Sequence, residues 1–115
     1  MRWIILGLAL VLGTPALANG ECSADYTATA VRAQVIETGA TLTEYTGSMS
    51  AAIMVVLLEA FGPPPFEPDV DMIFAAQLQG RVSLGFFKED CYLGYATVPV
   101  GVWRELLSRA GGRGV

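Results

Sequence analysis

The stretch VDMIFAAQLQGRVSLGFFKEDCYLGYATV, residues 70–98, decides the fold. It holds three short runs of alternating apolar residues, broken at Gln79-Gly80 and at Glu89-Asp90. Alternation of period two between turn residues is the pattern of strands with one covered face. The stretch therefore predicts an antiparallel three-stranded meander. In the first run Met72, Phe74, Ala76 and Leu78 share a face, and in the second Val82, Leu84 and Phe86 do. If both sets face one core, Leu78 lies opposite Val82 across a three-residue loop, Gln79-Gly80-Arg81. That register sets Phe74 across from Phe86. A two-residue turn at Gln79-Gly80 would instead pair Leu78 with Arg81 and turn one strand's pattern over. The second turn, Glu89-Asp90, sets Lys88 opposite Cys91, Phe86 opposite Leu93 and Leu84 opposite Tyr95. It also starts the third strand with Cys91 on the covered face.

Upstream, residues 62–71 (GPPPFEPDVD) form a connector. Its four prolines hold an extended path and donate no backbone hydrogen bonds. Phe66 is expected to tuck onto the core. Residues 49–61 (MSAAIMVVLLEAF) read as a helix that is apolar nearly all round, and so buried on most sides. Phe61-Gly62-Pro63 stops it, and Glu59 is expected to face water at its end. Residues 40–46 (ATLTEYT) have two readings: a capping box that starts this helix early, or a short edge strand. The alternation of Thr41, Thr43 and Tyr45 favours the strand, with Ser48 or Ser50 then capping the helix. Residues 23–38 carry both alanines and β-branched residues. Ala28, Val31 and Val35 fall on one helical stripe and Gly39 stands where a helix would end, which favours a helix capped by Ser23. Downstream, Pro99 ends the third strand. Residues 100–110 then read as an amphipathic helix with Val102, Trp103, Leu106 and Leu107 on one side, and the chain is expected to fray from about residue 111.

The N-terminus has the layout of a cleaved signal peptide over residues 1–18. Arg2 precedes the apolar run Trp3–Leu12, Pro15 breaks it, and Ala16-Leu17-Ala18 has the small-x-small form that signal peptidase accepts. The apolar run is too short for a membrane span, which needs about 20 residues. The residues before Cys22 are Asn19, Gly20 and Glu21, unlike the apolar lead of a lipid-attachment site. The expected mature domain is 19–115, periplasmic or secreted, with no membrane span. Loss of Arg2 takes the net charge from −4 to −5, with six Lys or Arg against eleven Asp or Glu. An acidic chain with scattered cations is a poor partner for nucleic acid. Two cysteines, Cys22 and Cys91, in an exported chain read as one structural disulfide. It would close a loop of roughly 70 residues, worth roughly 4 kcal/mol by chain entropy.

The chemistry is narrowed by what the sequence lacks. It has no histidine, so triad nucleophiles, most zinc sites and the usual acid–base group at neutral pH are not encoded. It has no GxGxxG and no Walker-type phosphate loop. Glu67, Asp69 and Asp71 are acidic at alternate positions and form a candidate Ca²⁺ site, or else a solvated entry to the first strand. Phe87, Tyr92 and Ile73 form a candidate partner surface if no helix covers their side of the sheet; otherwise they are core. The expected fold is α+β: a meander of three or four strands packed by a buried helix, with flanking helices and one disulfide. The expected function is a non-catalytic interaction module with no cofactor, binding a protein or cell-envelope component. The alternative is an inhibitor or immunity-type protein acting on an envelope hydrolase or toxin through its acidic loop.

Overall fold

β-branched and aromatic segments alternate with alanine- and leucine-rich ones, and the elements follow that alternation. A computed structural model describes residues 26–111. They form α1 (Ala28–Glu37), β1 (Thr41–Thr46), α2 (Gly47–Phe61), β2 (Met72–Leu78), β3 (Arg81–Lys88), β4 (Cys91–Pro99) and α3 (Val100–Gly111). The strands make one antiparallel sheet in the order β1-β2-β3-β4. The fold is thus α+β, and the meander has four strands. Residues 40–46 supply the additional edge strand, and residues 28–37 are helical. The signal segment, Cys22 and residues 112–115 lie outside the described residues.

One sheet face is closed by α2 and α3. From α2, Ile53, Met54, Val56 and Leu57 are buried; from α3, Trp103, Leu106 and Ala110. They pack on Ile73, Ala75, Val82, Leu84, Phe86, Ala96 and Val98 of the sheet. Burying one such large side chain is worth about 1.5–3 kcal/mol, so this layer carries most of the apolar stabilisation. Tyr45 meets Trp103 edge-on at 6.0 Å between ring centroids. Phe66 packs on Phe86 at 5.4 Å, so the proline-rich connector delivers its one aromatic residue to the core as expected. No helix among the described residues is long and apolar enough to cross a membrane.

The register between β2 and β3 differs from the expected one. Leu78 pairs with Arg81, Phe74 with Gly85 and Ile73 with Phe86. The turn is the two-residue Gln79-Gly80, with both residues at positive φ (54° and 80°). Such turns match the twist of the flanking strands, and glycine enters that region without cost. This turn does turn β2 over. Ile73 and Ala75 face α2 and α3, while Met72, Phe74 and Ala76 face the other way. It is tolerated because α1 covers part of that second face, so that Ile73, Phe74 and Ala75 in succession are all buried. On β4, Lys88 does pair with Cys91, but an irregularity between Phe86 and Phe87 shifts the rest. Phe86 lies opposite Gly94, not Leu93, and Leu84 opposite Ala96, not Tyr95. Such a bulge adds one residue to a strand and bends it.

Helix starts also differ. The N-cap of α1 is Thr27, whose hydroxyl accepts from the Ala30 N–H at 3.2 Å. β1 runs directly into α2, which begins at Gly47 with no side-chain cap. Ser50 lies inside the helix, buried, and donates to the Gly47 carbonyl at 2.8 Å.

Candidate functional site

Among the described residues, the second face of the sheet is covered only in part. Helix α1 is held there at its N-terminal end. Thr27 bridges to Cys91, and the Ala28 N–H donates to the Asp90 carbonyl at 3.1 Å and to its carboxylate at 3.2 Å. One turn on, Arg32 forks onto Glu44 of β1 at 2.7 and 2.9 Å. Its guanidinium also sits over the Phe74 ring, 5.3 Å from the centroid. A bidentate pair of this kind fixes orientation as well as distance. Arg32 holds the Glu44 carboxyl below the usual carboxylate range through that hydrogen bond.

Beneath the helix runs a row of aromatic rings. Phe74 meets Phe87 at 4.5 Å, Phe87 meets Tyr92 at 5.5 Å, and Tyr92 stacks on Tyr26 at 5.9 Å with the planes 7° apart. Burial, with Tyr95 and Tyr26 alongside, pushes the Tyr92 hydroxyl far above its ordinary range, so it stays protonated. Only Ala28, Phe74 and Phe87 are fully buried in this cluster.

Past Arg32 the helix no longer closes on the sheet. Val31 and Val35 form one wall of a groove of about 240 Å³; Ala76 and Gly85 belong to its floor, and Tyr92 and Tyr95 to its far wall. Gly85 is needed for this shape. A Cβ there would stand 3.3 Å from Cε1 of Phe87 and 3.6 Å from Cε1 of Tyr92. Tyr95 is 39% exposed, and Leu78, on the same face of the neighbouring hairpin, is 44% exposed. The groove thus offers apolar contact and ring stacking, with few polar groups on its walls.

The residues singled out from sequence fare differently. Ile73 and Phe87 are fully buried and lie on opposite faces, and Tyr92 is half-buried. They form no open surface, because α2 with α3 covers one face and α1 with its aromatic row fills this part of the other. The acidic residues are not brought together. Asp69 pairs with Lys88 at 3.0 Å, and the Asp71 carboxylate accepts from the Glu89 N–H at 2.9 Å. These contacts tie the connector to the second hairpin turn. Among the described residues no three acidic, histidine or cysteine side chains converge to hold a metal ion. Glu59 is exposed, as expected, 3.5 Å from Arg109.

Sequence reasoning missed Tyr95, Arg32 and Gly85. The signal for Gly85 was present: a glycine inside a strand pattern marks a close approach. Arg32 carried no such signal, because its partners are distant in sequence. No family model, curated protein or solved structure matches the chain.

Proposed function

We propose that this protein is an exported, non-catalytic interaction module that holds a protein or cell-envelope component in the groove between α1 and the sheet. The reading is supported by one observation: among the described residues an aromatic-walled groove lies open beside a helix that covers only part of its face. Export rests on the layout of residues 1–18. The Cys22–Cys91 disulfide is part of the same reading. It is supported by Thr27 pairing with Cys91 and Tyr26 stacking on Tyr92, which bring the chain just downstream of Cys22 against the start of β4. An intact mass two hydrogens lighter than that of the reduced chain tests the bond.

The groove is tested with a photo-reactive residue at Tyr95, and a control at Arg104 on the exposed side of α3, in an envelope extract. The expected result is an adduct from position 95 alone, lost when Val35→Asp places a charge in the wall. Equal labelling from both positions, or none from either, overturns the reading. The inhibitor alternative through Glu67, Asp69 and Asp71 gains no support, since two of the three are engaged within the fold.

A further inference from the structure

The two edges of the sheet are built differently. β1 is short (Thr41–Thr46) and carries Glu44, a charge that discourages another strand from adding there. β4 is longer (Cys91–Pro99) and has no charged residue anywhere along it. Its first position is taken on the outer side, where Thr27 bridges to Cys91 in antiparallel sense. At its far end α3 starts directly after Pro99. Between these limits, from Leu93 to Pro99, no outward backbone hydrogen bond is made among the described residues. A long, uncharged, unpaired edge is a template for one more strand.

We propose that a second copy of this chain pairs with that edge, β4 against β4, antiparallel about Ala96. The choice of occupant follows from the dimensions and charge of the open edge. A symmetric pairing centred on Ala96 sets Gly94 opposite Val98 and Tyr95 opposite Thr97, and so uses the regular part of the open stretch, past the irregularity at Leu93 and short of Pro99. It brings no like charges together, although each chain carries a net negative charge. On the α1 side it matches an aromatic residue with a β-branched one, a favourable cross-strand pair. On the other side Gly94 and Ala96 are small, which leaves room at the axis. A two-fold pairing of identical patches is also the simplest closed assembly. The result is one continuous sheet of eight strands, four from each chain, in which the two grooves open towards each other across the dimer axis. The pairing does not depend on what the grooves hold.

The test is sedimentation equilibrium of the purified chain, its N-terminus verified by mass, from micromolar to millimolar concentration. The expected wild-type mass approaches twice that of the monomer as concentration rises. Two double variants probe the register: Tyr95→Glu with Thr97→Glu, and Tyr95→Lys with Thr97→Lys. Each places like charges opposite each other and is expected to sediment as a monomer with an unchanged circular dichroism spectrum. Mixed in equal amounts, the two are expected to restore the dimer mass. Amide exchange on the wild type supplies a measurement without substitutions: amides between Leu93 and Val98 should gain protection with concentration. A wild type that stays monomeric throughout overturns the proposal. So does a dimer that persists in both variants, or a mixture that stays monomeric.

Discussion

The two faces of the sheet hold comparable aromatic residues in different surroundings. Phe86 and Phe74 are each 2% exposed, on neighbouring strands and opposite faces. Phe86 sits in a continuous layer closed by two helices, one of them apolar nearly all round. Phe74 sits in a small cluster under a single helix, pinned by an exposed ion pair and bordered by an open groove. Equal burial of one side chain therefore does not mean equal support from its neighbours. The first face is built for stability; the second trades closure for a concave, aromatic surface.

That contrast can be broken by matched substitutions. Phe86→Ala should cost about 4 kcal/mol and Phe74→Ala about 2–3 kcal/mol, because the groove beside Phe74 lets its surroundings relax into the void. Urea denaturation measures both, and equal costs would remove the distinction between the faces. Gly85→Ala comes next. Its Cβ would press on the fully buried Phe87 at 3.3 Å, so a loss of about 1 kcal/mol is expected despite the entropic gain of replacing glycine. A stabilised Gly85→Ala would mean that the aromatic row is looser than its distances imply.

The turn that decides the register can be sharpened rather than broken. Gln79 stands at φ 54°, where asparagine is better tolerated, so Gln79→Asn should stabilise by about 0.5 kcal/mol in the same assay. A destabilised variant would argue against this turn. The smallest effect is expected from Glu44→Gln, which should slightly lower the melting temperature at neutral pH and raise amide exchange in α1. Its pH dependence has a definite sign. The Glu44 carboxyl is held below its ordinary value of 4.5 in the fold, so its contribution is present above that value. It is lost as pH falls through the folded value. Wild-type and variant melting temperatures should therefore converge below about pH 4.5, while Arg32 stays charged throughout.

The stretch 70–98 announced a meander, and the proline connector, the apolar helix and the amphipathic C-terminal helix were equally readable. Each is a local pattern of period two or 3.6 with clear stops. The register was not readable from alternation. Alternation selects a register only where one face is buried, whereas Ile73-Phe74-Ala75 and Phe86-Phe87 are runs buried on both sides. Contiguous apolar residues in a strand are the mark of two-sided burial, and there alternation loses its power to choose a register. For the same reason Ile73 and Phe87, a partner surface only if left uncovered, lie on opposite faces and in the core.

From the residues alone follow the class of the fold, the order of its elements and the absence of histidine chemistry, because each is set by composition or by neighbours a few positions apart. Only the tertiary structure decided which face each strand presents, where β4 bulges, and how Arg32, Glu44 and Phe74 meet beside a groove. Those outcomes depend on contacts between residues distant in sequence, and on whether the two-residue turn's match to strand twist outweighs turning a strand over. That balance changes sign once a helix stands ready to cover the second face.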